Sequence, residues 1–206
     1  MMRPLHRLHM VKAIVGLLFL AGTIYEQFPA PWIAHQLPAS ARSRLVDGFI
    51  DSQAPIRCDH PNGESAVRAI LTRLDPQLGP KVDVISIREG GIFALALPAN
   101  KIFMAHDTTS QLDADALAGV LAHELAHLRR DDPTAAMVRY IGNLGIFSAL
   151  LSGPERRSIY ERFSGEEEKL ADEDAIAMMK RAHVRIAPVA AFVEQMRMSK
   201  LQGTYL

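Results

Sequence analysis

Two histidines four residues apart, with a glutamate after the first, form the run His123-Glu124-Leu125-Ala126-His127 inside an apolar-periodic stretch of a 206-residue chain. On a helix, residues four apart stand one above the other, so both imidazoles project from one face and can hold a single zinc ion. Glu124 stands beside them, where a carboxylate can take a proton from an attacking water. The chemistry expected of this triplet is metal-assisted hydrolysis of a peptide bond. A chain with 8 histidines also produces such a pair by coincidence on a solvated helix, so the surroundings of the run decide.

The surroundings favour a metal. The periodicity predicts a helix from about Asp113, with Ser110-x-x-Asp113 or Asp113 itself as its cap, to about Arg130. Leu117, Val120, Leu121, Leu125 and Leu128 form its apolar stripe, and the two histidines fall beside that stripe, which leaves them half buried. Buried histidines need polar partners that alanines and leucines do not supply.

A catalytic zinc needs a third protein ligand and one open position. The elongated metzincin pattern requires a glycine at position 130 and a histidine at 133, but the chain has Arg130 and Pro133 there. The other common arrangement draws a glutamate from a later helix, and Glu166, Glu167 and Glu168 offer three. Glu166, Lys169, Glu173 and Lys180 share one charged, solvated stripe, and Glu167 is read as solvated with them. Glu168, Ala171, Asp172, Ala175, Ile176 and Met179 share the small, apolar face. Glu168 is therefore assigned as the third ligand, and Asp172, one turn on, as the acceptor that orients a ligand histidine.

The remaining chain must position these groups. Lys+Arg and Asp+Glu balance at 23 each, so charge points to no nucleic-acid partner. The single cysteine, Cys58, excludes an intrachain disulfide framework and a cysteine-rich zinc site. Arg3, Arg7 and Lys12 precede the uncharged run Ala13 to Tyr25, which reads as an uncleaved signal anchor, with a cleaved signal peptide as the alternative. The positive-inside rule then sends the catalytic segment outward, which in a bacterium means the periplasmic side of the inner membrane, or the periplasm itself after cleavage. Residues 27–60 read as a proline-rich connector with one short helix from Ser40 to Asp51. A helix is expected from Asn62 to Leu74, closed by Asp75-Pro76. Three short segments of period near two follow, Val82 to Ile87, Ile92 to Leu97 and Lys101 to Met104, and predict a small β-meander. Residues 135–151 are apolar apart from Arg139 and Asn143, too polar for a comfortable second span, and read as a helix or two over the site. Ser152 to Arg157 reads as a lid loop.

Leu97-Pro98, Lys101-Ile102-Phe103, Leu117 through His127, and Glu168-x-x-Ala171-Asp172 occur in the order and style of one family. From about residue 60 to 198, including a tail helix after Pro188, the chain resembles the HtpX and CAAX-prenyl-protease family of zinc metallopeptidases. The resemblance implies a gluzincin-like α+β domain; with the elements read above, the fold expected is a zincin-like, mostly helical domain over residues 61–206 with three or four strands beside the metal helix, preceded by the N-terminal membrane helix. It implies one zinc ion held by His123, His127 and Glu168, with Glu124 as general base. Gly165 departs from the family pattern, in which an arginine often stands three residues before the ligand glutamate. The oxyanion role it leaves open falls to Arg162, His183 or another residue, and no electrophile is assigned.

The function expected is zinc-dependent endopeptidase action at or near a membrane, on polypeptide in extended form laid along a sheet edge. An edge that reads backbone rather than side chains suits quality control of unfolded protein. A membrane-tethered, zinc-binding chaperone or adaptor that does not cut is the contrasting class, and proteolysis sensitive to a chelator separates the two.

Overall fold

The computed structural model describes residues 29–52, 58, 61–88, 94–147 and 163–201, with residues 12, 16 and 17. The loop at 152–157, Arg162 and nearly all of the first 26 residues lie outside the described residues. Among the described residues no helix is long and apolar enough to cross a membrane. The expected N-terminal membrane helix falls outside the described residues, apart from residues 12, 16 and 17.

Two helices, α1 (Pro29–Gln36) and α2 (Ala39–Ser52), occupy most of the segment expected to be a connector. Val46 of α2 is buried and packs with Ile85, Ile87, Leu97, Phe103 and Met137, so α2 belongs to the core. Helix α3 (Pro61–Leu74) follows. It ends where Asp75 Oδ1 accepts the N–H groups of Gln77 and Leu78 at 2.9 Å each, an Asx turn that satisfies the amides beyond the helix.

Strands β1 (Asp83–Ile87), β2 (Ala94–Leu97) and β3 (Lys101–Ala105) form the sheet. The expected meander is corrected: the order is β1-β3-β2, with β1 parallel and β2 antiparallel to β3. Turn residues mark where strands end but not which edges meet. The hairpin between β2 and β3 is local, and Ala99 and Asn100 take φ of 62° and 55°, as primed turns require. Strand β3 occupies the centre because it is apolar on both faces. Ile102 and Met104 enter one core and Phe103 the other, and burial on both sides favours a central position.

Short helix α4 (His106–Gln111) leads into α5 (Ala114–Arg130), where the Asp113 side chain accepts the Ala116 N–H at 2.7 Å. Helices α6 (Asp132–Phe147), α7 (Gly165–Arg181) and α8 (Ile186–Leu201) complete the chain. Helix α8 starts before Pro188 rather than after it, since proline in a first turn gives up no intrahelical bond. Helix α5 is the hub, packed against α3, β2, α6, α7 and α8. Leu121, Ala122, Leu125 and Ala126 are fully buried between Leu71, Met104 and Met179. Of the expected stripes, Val120 is only partly buried and Ile176 is 39% exposed. Met178 and Ala182 take the place of Ile176 on the buried face of α7.

Gly119 marks the closest approach of α5 and α8, where an added Cβ would lie 2.5 Å from the Val189 side chain. Gly119→Ala should lower stability by about 1–3 kcal/mol through overpacking, despite the better helix propensity of alanine. Adding Val189→Ala should recover most of that loss in thermal unfolding. Additive losses in the double variant would contradict the steric account.

Candidate metal centre

One turn of α5 carries His123, Glu124 and His127, and the first turn of α7 carries Glu168. The Nε2 atoms of His123 and His127 face each other at 3.1 Å. Glu168 Oε2 lies 3.3 Å from the first and Oε1 3.8 Å from the second. Among the described residues these three form a group able to hold a metal ion. The spacing suits one: four donors at about 2.0–2.1 Å in tetrahedral array define donor–donor edges of about 3.3–3.4 Å. Two neutral nitrogens and a carboxylate oxygen are also a donor set of the kind that catalytic zinc takes.

The rings are oriented from behind. Asp172 Oδ1 lies 2.9 Å from His123 Nδ1, and Asp132 Oδ2 lies 3.0 Å from His127 Nδ1. When the rings are neutral, carboxylates at both Nδ1 atoms favour the proton there and leave the Nε2 lone pairs converging. Asp172 was expected in this role; Asp132 was not. Phe163 also went unforeseen, and its ring stacks on His127 with centroids 3.9 Å apart. The histidines are not equally half buried, as the helical phase had implied. The His123 side chain keeps 26% exposure and that of His127 only 1%.

Charge is partitioned across the cluster. Burial disfavours the His123 imidazolium, but the Glu168 hydrogen bond and the charges of Glu124, Glu168 and Asp172 outweigh it and raise the pKa from 6.5 to about 9. The hydrogen bond from His123 lowers the Glu168 pKa, against the effect of burial. Glu124 is buried, and that burial raises its pKa, while His123, His127 and the Ala96 N–H pull it down. Its Oε2 accepts the Ala96 N–H at 2.6 Å, which ties the carboxylate to edge strand β2 and leaves Oε1 to take up a proton.

The start of α7 is fixed independently. Ser164 and Glu167 form a capping box, and Arg139 from α6 donates to both carboxylate oxygens of Glu167 at 2.9 and 3.0 Å. The reading of Glu167 as solvated is thus corrected. Its partner stands 28 residues away, and the only sequence signal was an arginine within an apolar stretch. Gly165 is the first residue of α7 and offers no side chain. His183 lies beyond the other end of α7, about 20 Å from Glu168 along the helix, and so is excluded from an oxyanion role. Arg162 lies outside the described residues.

The model of peptidase family M48 matches residues 64–202, which bears out the resemblance read from the paired motifs. No curated protein matches the chain. Metalloprotease chemistry and a metal-binding His/Glu group agree between family and geometry.

Two outcomes follow for metal binding. Asp132→Ala should weaken it by about 10–100-fold, because His127 loses the bond that sets its tautomer; chelator competition measures this, and unchanged affinity would discount Asp132. In metal-free protein, a His123 pKa raised to about 9 stabilises the fold fully below pH 6.5 and loses that contribution as pH rises through 9. Metal must displace that proton, so apparent affinity should rise by about tenfold per pH unit between those values.

Proposed function

The chain belongs to peptidase family M48, and we propose that it is a zinc-dependent endopeptidase acting on extended polypeptide at or beside a membrane. The observation that carries this reading is the convergence of His123, His127 and Glu168 beside a buried Glu124 that is itself bonded to a sheet edge. His123, His127 and Glu168 would hold the ion, with Asp172 and Asp132 orienting the rings. Zinc bound there would polarise the scissile carbonyl and acidify water.

Glu124 is the general base in this proposal. Burial raises the Glu124 pKa, which favours its taking up a proton, and Glu124 removes one from the attacking water and returns it to the leaving amine. The Ala96 N–H holds that carboxylate in one orientation, so the proton moves between fixed atoms.

Substrate is proposed to lie along β2. That strand ends the sheet on the side of Glu124, which takes its Ala96 N–H, while β1 at the far edge accepts the Cys58 N–H at the Ser86 carbonyl at 2.9 Å. Backbone pairing to a sheet edge aligns a peptide without demanding particular side chains, which suits unfolded segments. The uncharged run Ala13 to Tyr25 behind basic residues supports a signal anchor and a catalytic domain on the periplasmic side of a bacterial inner membrane.

Glu124→Gln should keep its metal and lose about 10²–10⁴-fold in turnover of unfolded casein. Glu168→Ala should instead lose metal. Full hydrolysis by the Gln variant would remove Glu124 from the role of base, and full metal content in the Ala variant would move the ligand elsewhere.

A further inference from the structure

We propose that the outer face of α1 is a membrane-contact surface, with Trp32 seated among the lipid headgroups and the metal centre thereby held at a fixed height over the bilayer. The inference rests on the reading of Ala13 to Tyr25 as membrane-inserted, and it adds a second, peripheral contact made by the folded domain.

Helix α1 has two unlike faces. Ala30 and Ala34 are buried at 0% and 1% exposure and lie against α6. Trp32 stands half a turn away from both and is 66% exposed. A large apolar ring turned out from a helix whose inner face is already packed adds nothing to the core. Tryptophan prefers the membrane interface, where its ring meets apolar chain and its N–H meets headgroup or water.

Chain length supplies the partner. Only Glu26, Gln27 and Phe28 separate Tyr25 from Pro29, and four residue steps span at most about 14 Å. With Tyr25 at the outer boundary of the hydrocarbon, α1 cannot leave the neighbourhood of the headgroup layer, itself about 5–7 Å deep on each side. Leu17, from the apolar run, is 66% exposed and so is not spent on the protein core.

The contact is connected to the site. Arg42 of α2 donates to the Leu37 carbonyl through Nε at 3.0 Å and to the Ala34 carbonyl through Nη2 at 3.1 Å. Its Nη1 pairs with Asp131 Oδ2 at 2.8 Å, at the C-terminal cap of α5. The next residue, Asp132, holds His127. One guanidinium thus joins the end of α1 to the metal-binding helix, and Val46 fixes α2 beneath the sheet. Residues 29–52 precede the family match at 64–202. The site would then meet polypeptide emerging at the membrane surface before it meets substrate free in solution.

Trp32 is the only tryptophan, so the whole tryptophan emission reports this position. The full chain is reconstituted into vesicles of phosphatidylethanolamine and phosphatidylglycerol, some carrying lipid brominated near the glycerol end of one acyl chain and some near its methyl end. The expected result is a shift of emission to shorter wavelength, with strong loss of intensity from bromine near the glycerol and little from bromine near the methyl end. Protein that stays with the vesicles after an alkaline wash but shows neither shift nor quenching would overturn the docking of α1 and leave the anchor standing. Protein that never stays with the vesicles would overturn both. A shift without bromine quenching would overturn the lipid contact in favour of a protein partner at Trp32. Trp32→Tyr at unchanged melting temperature, with residual tyrosine emission alone, verifies that the signal arises from this residue.

Discussion

The His127 ring is almost fully enclosed, and an enclosed imidazole is tolerable only when its polar atoms have partners. Asp132 supplies one at Nδ1, and Phe163 covers the ring face. Because the proton sits at Nδ1, the Nε2 lone pair is free and aimed at His123 and Glu168. Every other feature of the centre is placed relative to that fixed ring. Its geometry follows from backbone conformation: Asp131 takes a left-handed φ of 61° as the cap of α5, and the chain turns there so that the next residue reaches back to His127. The turn between α5 and α6 is therefore a component of the metal centre as much as a connection.

Three of the four carboxylates near the two imidazoles differ in environment. Glu168 is partly exposed and bonded to His123, and this lowers its pKa, as a ligand that must stay ionised requires. Glu124 is buried, which raises its pKa, as a base that must carry a proton and release it requires. Asp172 is mostly exposed and bears only on the back of His123. In the proposed mechanism the same functional group would serve as ligand, base and orienting acceptor because solvent access and neighbouring charge differ at each position.

The supports of the site are drawn from distant parts of the chain. Glu124 joins α5 to β2 through Ala96, so the base and the strand proposed to carry substrate cannot shift independently. The Arg139 pair with Glu167 sets the start of α7, one residue from Glu168. On the far side of the sheet, Val46 and Met137 pack beneath Leu97 and Phe103. Helices α2 and α6 thus back the strand whose other side faces the metal centre.

That His123, Glu124 and His127 share one turn of α5, and that Glu168 and Asp172 share one face of α7, was legible in the sequence, because helical phase is a local property: residues three and four apart share a face wherever the helix is packed. The boundaries of α5 followed from Asp113 for the same reason. Asp132, Phe163 and the Arg139–Glu167 pair were not legible, since each makes its contact through a turn or across two elements, and local spacing carries no signal for that. The sheet order β1-β3-β2 was hidden likewise: turn residues show where strands stop, whereas the central place of β3 arises only when two cores form on its two faces. By itself the sequence determined the chemistry available. The tertiary structure decided which ring is buried, which carboxylate holds it, and which edge the base is bonded to, because those depend on desolvation and on partners far apart in the chain.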